Sequence, residues 1–245
     1  MIFIIFLLGL IVGSFLNVCI YRIPRDESVV FPASHCANCY HKLAWHDLFP
    51  LFSYLFLKGR CRYCNSKISI RYPIIELLNG LIYILLFIKF GLTLIFIKYS
   101  ILSSLIIVIS VIDLFTTDIY TNTIYFGTAV GIIFIFIFLL MKQNIITFII
   151  GALIGAGVIS IIILTTHGMG WGDAELLFVI GLFLGVKLTI VTVFLSFILG
   201  GFIGSLLILL KIKSRKDYIP FGPFISLATL ISILWGDTLL SFYIF

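Results

Sequence analysis

Apolar runs near twenty residues long recur along this chain, at 2–21, 74–88, 92–112, 123–141, 145–165 and 188–210. Each is long enough, or nearly so, to cross about 30 Å of hydrocarbon as a helix. Two shorter runs, 176–186 and 221–235, complete a set of eight. A backbone surrounded by lipid must satisfy its own hydrogen bonds, so the expected fold is all-α: a polytopic bundle of about eight transmembrane helices. With 62% hydrophobic and 11% charged residues, the 245-residue chain is far more apolar than a soluble globule. The first run lacks a basic stretch before it and a small-residue cleavage pattern before Tyr21-Arg22, so it reads as a permanent helix and not as a removed signal.

The formal charge of +6 is explained by where the cations fall. Eight of the sixteen Lys and Arg lie between Arg22 and Arg71, and four more between Lys211 and Lys216. With the N-terminus outside, eight crossings put both segments on the cytoplasmic face, as the positive-inside rule prefers. The loops at 113–122 and 166–174 fall on that face too, while the other side receives tight connections near Lys89, Lys142 and Lys187. The partner this charge pattern implies is the lipid bilayer; no nucleic acid is expected.

Three parts follow along the chain: a first transmembrane helix over 1–21, a cytoplasmic loop domain over 22–72, and a transmembrane core over 73–245. A domain of some fifty residues with few aliphatics depends on a metal or disulfides for stability. Here Cys36-Ala37-Asn38-Cys39 and Cys61-Arg62-Tyr63-Cys64 supply two CxxC pairs. Such pairs present four sulfurs to one ion, the pattern of a tetrahedral thiolate zinc site, and a reducing cytoplasm disfavours disulfides. Four thiolates leave no open position for water, so the zinc is expected to be structural. Cys19, inside the first helix, reads as a small buried apolar residue, and His35, His41 and His46 read as surface or packing residues beside a complete sulfur set.

A carboxylate in a spanning helix costs a few kcal/mol even on lenient scales, so each one is a functional candidate. Asp113 follows the run 101–112 at the cytoplasmic end of one helix, and Asp173 ends Gly168-Met169-Gly170-Trp171-Gly172-Asp173 at the cytoplasmic start of another. Two carboxyls at one depth can share a proton. At about 4 Å and an effective dielectric near 20, repulsion between two carboxylates is roughly 4 kcal/mol, so one holds the proton while the other deprotonates water. This is the chemistry of aspartyl peptidases. Gly170 and Gly172 give a side-chain-free backbone that an extended peptide can approach. Asp118 reads as a solvated loop carboxylate, Glu175 as facing away from Asp173, Glu76 as complementing the start of its helix, and Asp237 as exposed.

At these positions the chain resembles the type IV prepilin peptidases, bacterial membrane enzymes of the GxGD aspartyl class. The resemblance covers nearly the whole chain. It runs through Gly13-Ser14-Phe15-Leu16-Asn17-Val18, Tyr21-Arg22-Ile23-Pro24, both CxxC pairs, Gly59-Arg60-Cys61 and Arg71-Tyr72-Pro73. It continues with Glu76-Leu77-Leu78, Ile112-Asp113-Leu114, the GMGWGD segment and Ile219-Pro220-Phe221-Gly222-Pro223. Departures are Ile119-Tyr120-Thr121 where Ile-Pro-Asp is usual, Glu175 for a lysine, Ala37 for a proline and Leu48 for an asparagine. The resemblance implies Asp113 and Asp173 as the catalytic pair, in a bacterial inner membrane with the active site at the cytoplasmic face. It implies cleavage of the short basic leader of prepilin or pseudopilin substrates, then methylation of the new N-terminus with S-adenosylmethionine. No cofactor-binding motif for that methyl donor is visible, so its residues stay unassigned.

Two other classes predict different patterns. A proton-coupled transporter using Asp113 and Asp173 would carry them near mid-membrane within an internal repeat, and a zinc-stabilised scaffold would not need them at all. Both aspartates lie at helix ends and no repeat is visible.

Overall fold

A computed structural model describes residues 1–166, 168–214 and 217–243, with side chains through 241. Arg215 and Lys216, two cations of the second basic segment, lie outside the described residues. The helices are α1 (Ile2–Arg22), a short α2 (Phe52–Phe56), α3 (Arg71–Phe90), α4 (Leu94–Thr116), α5 (Thr121–Leu140), α6 (Ile146–Thr166), α7 (Trp171–Leu209) and α8 (Gly222–Tyr243). Seven of the described helices, all but α2, are long and apolar enough to cross a membrane. β pairing among the described residues is confined to two isolated bridges. Two compact units, Met1–Val108 and Ile109–Phe245, divide the chain within α4.

Local signals set the helix ends. Gly91, at φ 62°, ends α3 in a conformation a side chain would resist, and its N–H still bonds to the Phe87 carbonyl. The Thr93 hydroxyl accepts from the Phe96 N–H to open α4, and the Asn144 side chain accepts from the Ile146 N–H to open α6.

In the first unit α1 and α3 pack antiparallel through small residues. A Cβ on Gly9 would lie 2.7 Å from Gly80 Cα, and one on Gly13 would lie 2.7 Å from Glu76 Cα. Lipid gives no hydrophobic drive between helices, so close backbone approach and interhelical hydrogen bonds must hold the pair. Asn79 Nδ2 donates to the Gly9 carbonyl at 2.7 Å and Asn17 Nδ2 to the Tyr72 carbonyl at 3.1 Å.

The two runs at 176–186 and 188–210 appear as one 39-residue α7 that is broken at Gly185 (φ 74°, ψ 177°). Unbroken, such a helix would be about 58 Å long, nearly twice the hydrocarbon thickness. The break reverses the chain. A Cβ on Gly155 of α6 would meet both the Leu177 carbonyl oxygen (2.7 Å) and Thr189 Cγ2 (3.1 Å). Those residues would stand about 18 Å apart on a straight helix, so only a hairpin brings both to one point. The turn sits on α6, where a Cβ on Gly151 would lie 2.6 Å from the Gly185 carbonyl carbon. The second limb then runs antiparallel to α8, with Gly236 against Leu188 and Gly200 against Phe221 and Phe224. With α7 counted as two limbs, the described chain has eight long apolar helical segments, the first limb of α7 being the shortest.

Candidate active site and metal centre

In the second unit the starts of α7 and α8 meet the end of α4. Asp113, three residues from the end of α4, is 3% exposed, and Asp173, in the first turn of α7, is 4% exposed. Gly222 begins α8 and donates its N–H to Asp113 Oδ2 at 2.9 Å. A Cβ at Gly222 would stand 2.6 Å from that oxygen, so only glycine lets the backbone come this close. The Asp173 carboxylate receives the Gly170 N–H, and the charge of Asp113 acts on it. Each carboxyl therefore sits at a helix N-terminus, whose free N–H groups suit an anion.

Gly172 and Gly170 differ. A Cβ on Gly172 would lie 2.8 Å from Ile119 Cβ, so its absence lets the first turn of α7 lie against the loop that leaves Asp113. A Cβ on Gly170 would meet nothing within 4 Å, and that face of the backbone is open. Asp118 and Glu175 are exposed, and the charge of Asp118 acts on Asp113. Asp237 is exposed as expected.

Two further residues bear on the pair with no local signal in the sequence for that role. Gly222 belongs to the Ile219-Pro220-Phe221-Gly222-Pro223 segment, but nothing local ties it to Asp113, 109 residues away. Tyr218, half exposed, is the other: burial and the charges of Asp173, Asp113 and Asp118 push its phenol above the usual value. No spacing rule would have found it.

The four cysteines converge in the first unit. The Sγ atoms of Cys36, Cys39, Cys61 and Cys64 lie within 4.8 Å of one another, and the Cys36–Cys64 pair is 3.8 Å apart. Four sulfurs at 2.3 Å from a tetrahedral ion would be about 3.8 Å apart, so this donor set can hold zinc. The two halves are built alike. Cys36 N–H bonds to the His41 carbonyl and Tyr40 N–H to the Cys36 carbonyl; Cys61 and Ser66, and Asn65 and Cys61, repeat those bonds. Tyr40 and Asn65, each directly after the second cysteine of its pair, both have positive φ (56° and 57°).

The Ser66 hydroxyl, 3.1 Å from Cys64 Sγ, leads the interactions that lower the Cys64 thiol to about 6, in favour of the ligating thiolate. Burial pushes the Asp47 carboxyl up, but hydrogen bonds from Arg62 (2.7 Å), Ala44 and Tyr63 outweigh it and hold the group below the usual carboxylate range. His41 packs on the Tyr63 ring, 3.7 Å between centroids, and His35 stacks on Tyr40. His46 lies 3.7 Å from Asp47. Cys19 is buried in α1.

Glu76 differs from its expected role. It is the sixth residue of α3, too far in to serve the helix start, and is 7% exposed. Its Oε2 accepts the Leu51 N–H at 2.8 Å, and the Ser14 side chain also bonds to it.

Two family profiles match successive stretches: the bacterial peptidase A24 N-terminal domain over residues 7–90 and the type IV leader peptidase family over residues 100–205. A prepilin leader peptidase/N-methyltransferase of Bacillus subtilis (strain 168) is 33% identical over 252 residues, covering 100% of this chain and 98% of the relative. One from Aeromonas hydrophila is 31% identical over 271 residues, covering 98% of this chain and 92% of the relative. One from Myxococcus xanthus (strain DK1622) reaches 48% identity over 110 residues, which cover 45% of this chain and 33% of the relative. No solved structure matches the chain.

Proposed function

The chain belongs to the type IV leader peptidase family, whose curated relatives are named prepilin leader peptidase/N-methyltransferase, and we propose that it cleaves prepilin-like substrates with Asp113 and Asp173 as its catalytic pair. It is a multi-pass membrane protein. The observation that carries the catalytic assignment is a pair of buried carboxyls from different helices, near enough for the charge of one to act on the other, one of them fixed by the Gly222 N–H.

One carboxyl holds a proton and the other is ionised. The ionised group takes a proton from water as the oxygen attacks the scissile carbonyl, and the acid gives its proton to the carbonyl oxygen. Collapse of the tetrahedral species breaks the C–N bond, and the amine nitrogen leaves with a proton from the pair. The Gly222 N–H holds Asp113 through both steps, since a backbone donor needs no rearrangement as charge moves. The open backbone beside Gly170 offers an extended substrate a place to lie along the pair.

The substrate reading is a basic leader cut where it meets an apolar helix at the cytoplasmic face of a bacterial inner membrane. The enzyme's own loops are basic, so long-range attraction does not recruit the leader, and the exposed carboxylates of Asp118 and Glu175 meet it locally. The four cysteines hold a structural zinc, which contributes order to the loop and no reacting group. Methyl transfer to the new N-terminus, named in the relatives, would draw on S-adenosylmethionine, for which no residues are assigned.

The test is incubation of detergent-purified protein with a prepilin-like substrate, read by mass spectrometry. Wild type should release the leader, while Asp113→Asn and Asp173→Asn should leave the substrate intact. Cleavage by either variant at the wild-type rate would end the assignment. Its failure in all three proteins, with zinc bound and helices intact, would favour the scaffold.

A further inference from the structure

We propose that segment 48–56 is a re-entrant membrane element: it enters the bilayer beside α1, turns Phe49, Phe52, Leu55 and Phe56 toward lipid tails, and returns at a cationic cleft that takes the phosphate of an anionic phospholipid. The inference lies within the first unit and does not depend on the peptidase reading.

Depth is the first ground. Leu48, Phe49, Pro50 and Phe52 share a cavity with Leu7, Leu10 and Ile11 of α1. Ile11 lies eleven residues from the Arg22 end of α1, or about 16 Å along its axis, and Leu7 lies a turn further in. A loop confined to the water phase does not reach side chains so far along a spanning helix.

The second ground is Glu76. Non-helical backbone at membrane depth is tolerated only where protein satisfies its polar groups. Leu51 has φ 60° and lies just before α2, and its N–H is satisfied by the buried Glu76 carboxylate at 2.8 Å. Glu76 in turn faces Gly13 and bonds Ser14, both well inside α1. A buried acid in α3, outside the catalytic pair, thereby has a purpose: it closes the turn of an entering segment.

Surface chemistry is the third. Phe49, Phe52, Leu55 and Phe56 are 52%, 48%, 69% and 82% exposed, an apolar cluster that water would penalise and lipid would not. Directly after them, a cleft lined by Phe56, Lys58, Arg60, Arg62 and Asn65, with Cys61 of the sulfur centre at its wall, carries three cations and no carboxylate. Arg62 is shared with Asp47 through its Nε. Aromatic side chains at the interface with cations beside them match the headgroup layer, where anionic lipids attract Lys and Arg. A basic leader would be repelled here, so the phospholipid is the occupant that the charge favours.

The experiment uses full-length protein in phosphatidylcholine nanodiscs with and without phosphatidylglycerol. A single-tryptophan protein is made with Trp45, Trp171 and Trp235 each changed to Phe and with Phe52→Trp, and zinc content confirms that its loop is folded. Its emission should be lost to lipids that carry a nitroxide on the acyl chain and be protected from aqueous iodide. Quenching by iodide alone would overturn the re-entrant placement. For the headgroup end, native mass spectrometry of wild type should show retained phosphatidylglycerol, lost in Lys58→Glu/Arg60→Glu and reduced in the milder Lys58→Gln/Arg60→Gln. Equal retention in all three zinc-loaded proteins would overturn the phosphate site.

Discussion

In the loop between α1 and α3, each CxxC is folded by its own neighbours, and the two prefolded halves bring four sulfurs together; in the second unit, two carboxyls are placed where the end of one helix meets the starts of two others. The sulfur centre is two copies of one local turn, with the same backbone bonds and the same positive φ after each pair. The carboxyl pair has no local template. Asp113 and Asp173 are sixty residues apart, and the group that holds Asp113 comes from residue 222. The sulfur centre should therefore be insensitive to changes among the distant helices, while the carboxyl pair should respond to the packing of any of the three.

The largest expected effect tests that separation. Asp113→Asn and Asp173→Asn should each lower leader cleavage by about 10³-fold or more, since removing one member of a catalytic unit costs nearly as much as removing all of it. Zinc content and helical circular dichroism should not change. Loss of zinc in these variants would break the contrast between the two sites.

Next is Gly222→Ala. The added methyl would stand 2.6 Å from Asp113 Oδ2, so carboxylate or helix start must shift. A misplacement near 1 Å costs about 10²-fold in rate, so kcat should fall by about that much with zinc retained. A wild-type kcat would show that the Gly222 donor does not position the pair.

Asp118→Asn and Glu175→Gln should act on substrate capture. Each exposed carboxylate is worth a partial, solvent-screened attraction, so the apparent KM should rise about two- to fivefold, with kcat preserved in Glu175→Gln. An unchanged KM would remove both residues from leader recognition.

The smallest effect belongs to the sulfur centre. Ser66→Ala removes the hydroxyl that leads in holding the Cys64 thiol down to about 6. A thiol raised in this way binds its proton at higher pH and competes with the metal sooner, so zinc release on acidification should begin a fraction of a pH unit earlier. A chromophoric chelator titrated against pH reads the shift. Cleavage at neutral pH should be unaffected, which sharpens the independence of the two sites.

Much of this protein could be read in one dimension. Apolar runs of bilayer length determined the spanning helices, and even the split between 176–186 and 188–210 anticipated the hairpin that Gly185 forms. Paired CxxC turns determined the sulfur cluster, because every bond that shapes a knuckle lies within five residues. The carboxylates stood out by their cost in lipid, and the glycines beside Asp173 by their number.

Tertiary structure alone decided the rest. It placed the Gly222 N–H on Asp113, put Tyr218 within the field of three carboxylates, and gave Glu76 to the Leu51 backbone instead of to its own helix end. It also separated Gly172, which a neighbouring side chain requires, from Gly170, which nothing constrains. Periodicity and spacing record what a residue does with its neighbours a turn or two away. A hydrogen bond across 109 residues leaves no such record, because it exists only once packed helices have brought their ends together.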